Sequence, residues 1–187
     1  MMIDENEFNA IEGWLTLPEG KKLAELAEDV GMFSIIVEIG SWKGKSTYCL
    51  SRGVGENGIV YAIDHFKGSK EHGDVWTFPQ FHVNMERYKC NNVVPIVGKS
   101  TEVRWFIKDD FVDLLFIDGS HEYADVANDY AMYSTVVKKG GIICLHDTGP
   151  NGWEGPNKLL DKIMAQDSEK VVNMVLVDSL TVLRVVA

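Results

Sequence analysis

The feature that most constrains this chain is the string Val37-Glu38-Ile39-Gly40-Ser41-Trp42-Lys43-Gly44-Lys45-Ser46, read together with Tyr61-Ala62-Ile63-Asp64. Ile35-Ile36-Val37 is an apolar run of the kind a buried strand needs, and it closes on an acid and two glycines. A helix-compatible segment follows from Lys45 to Arg52. A second apolar strand, from Gly58 to Ile63, then ends at Asp64. Strand, glycine turn, helix, strand and acid form the layout of a βαβ unit that binds a nucleoside. The glycines let backbone approach a ligand closely, and the acid can accept hydrogen bonds from ribose hydroxyls.

Downstream, strand and helix signals keep alternating. Strands are expected at Val93–Val97, Val112–Ile117 and Gly141–Leu145, after the first two at Ser34–Ile39 and Ile59–Ile63. Helices are expected at Pro79–Tyr88, Thr101–Lys108, Tyr123–Val137 and Asn157–Ala165. Val171–Val177 and Leu180–Val186 read as two strands joined by a tight Asp178-Ser179 turn. Strands apolar on both faces suit a sheet covered by helices on both sides. The expected fold is therefore α/β and doubly wound: a mostly parallel seven-stranded sheet closed by a C-terminal antiparallel hairpin. Ahead of it, Pro18 to Val30 reads as a helix, with Leu23, Leu26, Ala27 and Val30 at helical spacing and Gly31 as a stop. This segment caps one face or covers the cleft. Residues 1–187 are read as one domain, with 1–33 the helical cap and 34–187 the Rossmann-like core. Two long loops, His65–Thr77 and Asp147–Pro156, flank the carboxyl ends of the strands and carry Trp76 and Trp153.

Composition narrows the function. The 187 residues are 45% hydrophobic and 25% charged, which suits one globular core. No apolar run reaches the ~18 residues of a membrane span. The start, Met1 to Glu7, is acidic and lacks a basic and then apolar signal region. Cys49, Cys90 and Cys144 are scattered and read as reduced thiols, so a cytoplasmic location is expected. The formal net charge is −10 and no basic stripe is visible, which disfavours a polyanionic partner. A small neutral or cationic molecule fits better than nucleic acid or a membrane. The N-terminal segment can serve dimerisation as readily as cleft closure, so a homo-oligomer stays open.

The glycine pattern, E-x-G-x-x-x-G-x-S, lacks the third glycine of the dinucleotide string G-x-G-x-x-G. It resembles motif I of class I S-adenosylmethionine-dependent methyltransferases. Within them it is similar to the branch of catechol-type and antibiotic-sugar small-molecule O-methyltransferases, where E-[IL]-G-[ST]-[WY]-x-G-x-S is typical. A second string, Ile117-Asp118-Gly119-Ser120-His121-Glu122-Tyr123, resembles the I-D-G-x-H-x-Y of that branch. The resemblance runs from about Ile35 to the C-terminus and implies a Rossmann-like methyltransferase fold that transfers a methyl group from S-adenosylmethionine to a hydroxyl.

It also implies roles for individual residues. The turn Gly40, Ser41, Trp42 and Gly44 would approach the methionine part of the cofactor, Glu38 would engage its amino group, and Ser46 would help hold its carboxylate. Asp64 would take both ribose hydroxyls, His65 would pack against adenine, and Ser100 would contact the adenine amino edge. Asp118 and Gly119 would lie by the sulfonium, and His121 would be the general base, since imidazole titrates near neutral pH. The family's divalent cation, Mg²⁺ or Mn²⁺, would fall to Asp118, His146 and Asp147. His146 stands where the family has an oxygen ligand, which turns the set away from Mg²⁺ and towards Mn²⁺, Fe²⁺ or Zn²⁺. Each position also has a plainer reading. Ser46 and Ser100 suit helix caps, Trp42 can pack under the N-terminal helix, Ser120 can cap a helix with His121 exposed, and His146-Asp147 can simply finish a strand. Two other functions use the same unit: an NAD(P)-dependent oxidoreductase, or a non-catalytic module that binds S-adenosylmethionine.

Overall fold

The computed structural model describes residues 3–69 and 73–186. Met1 and Met2 of the acidic start, positions 70–72 of the expected 65–77 loop and Ala187 lie outside the described residues. Asp4 caps a short first helix, α1 (Glu5–Ala10), by accepting from the N–H groups of Asn6 and Glu7. The second helix, α2 (Leu17–Asp29), starts with a capping box in which Thr16 and Glu19 satisfy each other's backbone donors. Then come β1 (Ile35–Ile39), α3 (Lys45–Val54), β2 (Ile59–Asp64), a small ribbon of β3 (Gly68–Ser69) and β4 (Gly73–Asp74), and α4 (Phe78–Arg87). The chain continues through β5 (Val93–Val97), α5 (Ser100–Val103), β6 (Val112–Ile117), α6 (Tyr123–Tyr133), β7 (Val137–Leu145), α7 (Glu154–Gln166), β8 (Val171–Val177) and β9 (Leu180–Val185).

The main sheet has seven strands in the order β5-β2-β1-β6-β7-β9-β8. The first five are parallel, β9 runs antiparallel to β7, and β8, antiparallel to β9, runs in the direction of the first five. Alternate residues of each strand face opposite layers, as the two-residue strand period requires. Ile36, Leu114, Phe116, Ile142 and Cys144 join one core with α1 to α4, whereas Val37, Ile39, Leu115, Ile117 and Ile143 join the other with α6 and α7. Strand order reverses direction at β1, between β2 and β6, and a ligand crevice belongs at the carboxyl ends there.

Several boundaries differ from the sequence expectation. The helix expected over Thr101–Lys108 is one α turn followed by a 3₁₀ turn, Arg104–Phe106. The Arg104 guanidinium explains this: it is drawn in by the carbonyls of Ile107 and Met132, by Thr135 and by Asp109, so the chain turns around it. The helix expected to reach Val137 ends at Tyr133 and passes through a second 3₁₀ turn, Ser134–Val136. The fifth strand begins at Val137 rather than Gly141, with a register shift opposite Val112–Leu114. The last helix begins at Glu154, not Asn157, and neither α1 nor the β3-β4 ribbon was foreseen, being too short for a periodic pattern.

Candidate active site

The carboxyl ends of β1, β2, β5, β6 and β7 open into one cleft of about 690 Å³. The loop before α2 closes one side, because Glu12, Gly13, Trp14 and Leu15 line the cleft and Trp14 lies against Trp42 with ring centroids 5.5 Å apart. At the floor, Gly40 has φ +88, and a Cβ there would stand 2.0 Å from the Asp118 carbonyl oxygen. Only glycine lets β1 turn while β6 passes this close.

Asp64 organises the turn. Its Oδ2 accepts from the N–H groups of Ser41 (2.9 Å) and Trp42 (2.8 Å), and its Oδ1 accepts from Phe66 N–H (2.6 Å). These bonds hold Trp42 in the left-handed region at φ 48. Each carboxylate oxygen offers two lone pairs, so both sites on Oδ2 are filled and one remains on Oδ1. The sequence expectation was a bidentate grip on two ribose hydroxyls; the carboxylate as placed has room for one.

Two other turn residues lie behind the cleft rather than in it. Gly44, at φ +91, is the N-cap of α3, and a Cβ there would stand 2.6 Å from Met85 Cε, so it serves packing. Glu38 is fully buried and receives Ser46 Oγ and Thr47 Oγ1 on its two oxygens at 2.5 Å each. Burial raises its carboxyl to about 7, against the pull of those hydroxyls. Ser41, Trp42, Ser46 and His65 do line the cleft. Ser46 spends its hydroxyl on Glu38, and His65 accepts Lys67 N–H at Nδ1 (3.0 Å).

Beyond β5, Gly98, Lys99, Ser100 and Thr101 line the cleft. Ser100 suits an N-cap by sequence, but Lys99 holds that position, and Ser100 Oγ donates instead to Asp129 Oδ1 at 2.5 Å. Asp129, on α6, was not singled out from the sequence. The signal was there: a carboxylate on the stripe that Val126, Tyr130 and Tyr133 bury.

The remaining residues gather at the ends of β6 and β7. His121 Nε2 lies 2.8 Å from Asp147 Oδ2, and the imidazole stacks on Trp153 at 4.5 Å between centroids. His121 is thus neither free nor remote, and Ser120 binds Asp125 rather than capping α6, whose N-cap is Glu122. Asp147 takes φ 58, a conformation costly for a residue with a Cβ, which aims its carboxylate at both histidines. His146 is buried. Its Nδ1 is 3.0 Å from Asp118 Oδ1 and 3.3 Å from Asp147 Oδ2, and its Nε2 is 3.3 Å from Glu19 Oε2.

Glu19 is the second residue the sequence did not reveal. It lies in the first turn of α2, fully buried, and accepts from Thr16 N, Ser179 N and Ser179 Oγ as well as facing His146. Burial works against its charge, but the His146 contact and these donors hold it at about 2. Burial likewise opposes a charged His146, yet Asp118, Asp147 and Glu19 outweigh it and keep the imidazole protonated far above its ordinary value. Asp147, despite burial, is held far below the carboxylate range by His121 and His146. Burial shifts Asp118 upward, and the His146 charge counteracts it.

Asp118, His146 and Asp147 each offer one ligand atom, all within 4.8 Å of one another. With the Nδ1 proton removed, the imidazole lone pair points between the two carboxylates while Glu19 retains Nε2–H. A ligating histidine commonly gives its other N–H to a carboxylate in this way. The nitrogen donor suits a first-row divalent ion and does not suit Mg²⁺.

Three comparisons bear on this geometry. A family profile described as a methyltransferase domain matches residues 37–148. Two curated proteins, both uncharacterized, share sequence with the chain: protein y4gI of Sinorhizobium fredii, 29% identical over 118 residues, and protein R132 of Acanthamoeba polyphaga mimivirus, 39% identical over 59 residues. The matched segments are 60% and 29% of this chain but only 13% and 27% of those two proteins, so the chain corresponds to a minor part of each. Among solved structures, the Bacillus cereus O-methyltransferase in complex with SAH has a TM-score of 0.71 at 20% identity, over 98% of this chain and 86% of that one. TomG from Streptomyces achromogenes, an O-methyltransferase solved with SAM, has a TM-score of 0.70 at 16% identity over 98% and 86%. A putative rRNA methylase from Clostridium thermocellum has a TM-score of 0.70 at 16% identity over 94% and 99%. At such identities the likeness is one of fold.

Proposed function

Because this chain belongs to the methyltransferase-domain family, we propose that it is an S-adenosylmethionine-dependent enzyme that methylates a hydroxyl of a small molecule. The observation that carries the reading is one cleft with two ends: Asp64 locked to the glycine turn at one, and the His121–Asp147 pair at the other. Its volume of about 690 Å³ accommodates a nucleoside-sized cofactor beside a small acceptor.

The cofactor fits the residues present. Asp64 Oδ1 keeps one acceptor site for a ribose hydroxyl, Gly40 and Ser41 bring backbone to the methionine end, and Trp14 and Trp42 wall the cleft. When bound, the cofactor supplies an electrophilic methyl group on a sulfonium. Asp147 Oδ2 lies 2.8 Å from His121 Nε2 and orients the imidazole, which in its neutral form would take the proton of the acceptor hydroxyl. Trp153 holds the imidazole plane by stacking, so the base is oriented before the acceptor arrives. Asp118, His146 and Asp147 would hold a divalent cation, whose contribution when bound is to lower the pKa of the acceptor hydroxyl.

The acceptor class follows from charge. The chain carries −10, and the cleft rim shows Glu12, Glu122 and Asp125 against Lys45 and Lys99, which suits a small neutral or cationic molecule better than nucleic acid. Among the described residues no helix is long and apolar enough to cross a membrane. Cys49, Cys90 and Cys144 are free and buried, which supports a cytoplasmic location.

Calorimetric titration of metal-stripped protein with S-adenosylhomocysteine, alone and with Mn²⁺, tests the proposal. Micromolar binding supports it, and tighter binding with Mn²⁺ supports the cation. Absence of binding in both conditions, with binding of NADH, would replace it by a nucleotide-dependent oxidoreductase.

A further inference from the structure

We infer that β8 is a dimerisation edge: it pairs antiparallel with the same strand of a second copy, and the two sheets join across a two-fold axis. β8 ends the sheet and pairs only with β9, so the peptide groups along its other side have no strand partner among the described residues. An open row of N–H and C=O groups is a template for another strand, and proteins commonly guard such a row with charge or proline. β8 reads Val171-Val172-Asn173-Met174-Val175-Leu176-Val177 and carries neither, although 25% of the chain is charged. The register shift between Asn173 and Val175 bends the strand at Met174 but adds no charge there. Val172, Met174, Val175 and Leu176 are 36 to 47% exposed, which leaves apolar side chains in water along the sheet's end. The opposite edge is built differently. β5 has Pro95 at its centre, where a paired edge strand loses an outward N–H.

A second copy is the occupant because the strand is complementary to itself. Read in either direction it is apolar at every position but Asn173, so antiparallel pairing sets apolar residues against apolar ones. Its ends differ in charge. Lys170 precedes the strand and Arg184 of β9 stands opposite Val172, with Asp167 and Glu169 close by in sequence, whereas Asp178 follows Val177. A two-fold axis brings the Asp178 end of one copy to the Lys170 and Arg184 end of the other, twice over. Lys170 rests on Asp167 at 2.6 Å, but its side chain is 62% exposed, and so open an ion pair does not fix it there. Asp178 accepts Thr16 Oγ1 at 2.7 Å, which anchors it at the strand's end. Two chains at −10 repel each other at long range, so their contact must be short-ranged and uncharged, as β8 is. Among the described residues none of β8 lines the cleft, so pairing leaves both clefts open and stands apart from the cofactor reading.

Sedimentation equilibrium of the full chain at about 1–200 μM, the span in which a small interface exchanges, tests this with wild type, Val172→Glu and Val94→Glu. Val172 faces Arg184 across the β8–β9 ladder, so a glutamate there meets a cation of its own chain and the fold should hold. Across the two-fold axis the same carboxylate meets apolar side chains. The wild type should pass from monomer to dimer over this span, and Val172→Glu should need at least about tenfold more protein to do so. Val94→Glu, equally exposed but on β5, should behave as the wild type. Amides of residues 172–177 should exchange their hydrogens more slowly in concentrated than in dilute wild type. A monomer throughout would leave the edge to a strand of some other protein and overturn the inference. So would a dimer that folded Val172→Glu retains, a dimer that Val94→Glu abolishes, or assembly that grows past the dimer. If circular dichroism shows Val172→Glu unfolded, Met174→Lys decides: a weakened dimer supports the inference and an unchanged one overturns it.

Discussion

Replacing Glu38 by Gln probes a fully buried carboxyl behind the cleft. Glu38 is 0% exposed and touches Ser46 Oγ and Thr47 Oγ1 at 2.5 Å each. Burial lifts its carboxyl from 4.5 to about 7. The folded chain thus holds this proton more tightly than the unfolded chain. Its contribution to stability is whole below pH 4.5, falls as the pH rises through the interval up to 7, and is gone above it. At 1.36 kcal/mol for each pH unit of that interval, the loss amounts to about 3 kcal/mol. Full burial removes any need to discount it for solvent screening. Gln has the same shape. Its carbonyl can accept one hydroxyl and its amide can donate to the other once that hydroxyl rotates. The variant should therefore lack this pH dependence while keeping its fold. Urea unfolding of both proteins at pH 4.5, 6 and 7.5 measures the effect. The stability difference, wild type minus Glu38→Gln, should drop by about 3 kcal/mol from the lowest to the highest pH, a midpoint shift of ~1–3 M at usual urea slopes. Parallel curves, or a difference that grows with pH, would refute the assignment of a raised carboxyl at position 38.

Other perturbations have equally definite outcomes. His121→Ala should lower kcat by about 10²–10⁴, with a much smaller change in KM, in a methyl-transfer assay; a kcat within a few-fold of wild type would remove His121 from proton transfer. Gly40→Ala should cost about 3 kcal/mol in urea unfolding, because its φ is +88 and the new methyl would meet the Asp118 carbonyl at 2.0 Å. Glu19→Gln places an amide N–H₂ among donors and leaves the buried His146 without a charged partner at Nε2. It should cost about 3 kcal/mol in urea unfolding at neutral pH, and unchanged stability would mean that Glu19 and His146 do not form an ion pair.

Much of the fold was legible because its signals are local. Five apolar runs with turn residues at their ends mark the parallel strands, and the two late runs around Asp178-Ser179 mark the hairpin. Misjudged boundaries share a cause: distant side chains decide them. The turn at Arg104–Phe106 depends on a guanidinium held by the carbonyl of Met132 and by Thr135, and no window around Thr101 contains those groups. The site divides along the same line. Asp64, Asp118, His121 and Asp147 were visible because each sits at a strand tip or just beyond, where a cleft must open. Glu38 was visible as an acid but not as a buried one, since its cover comes from Ser46 and Thr47 on the following helix.

Position 146 shows where a local string stops informing chemistry. A histidine after β7 can be a metal ligand or a cation, and the choice depends on what faces its two nitrogens. Nδ1 stands 3.0 and 3.3 Å from the two aspartates, separations that suit a shared proton. They also suit neighbouring ligands about 2.1 Å from a common first-row ion, whose edges are about 3 Å. Glu19 is 127 residues away in sequence and accepts Nε2–H in either state. The N-terminal helix thereby orients the imidazole whether a proton or a metal occupies the gap, and both occupants place positive charge between Asp118 and Asp147. A divalent ion must then displace a proton, so its binding should strengthen as pH rises and release protons into a weak buffer. Calorimetry of Mn²⁺ binding in buffers of different ionisation enthalpy would register that release. Binding without it would mean that the ion sits elsewhere than at Nδ1.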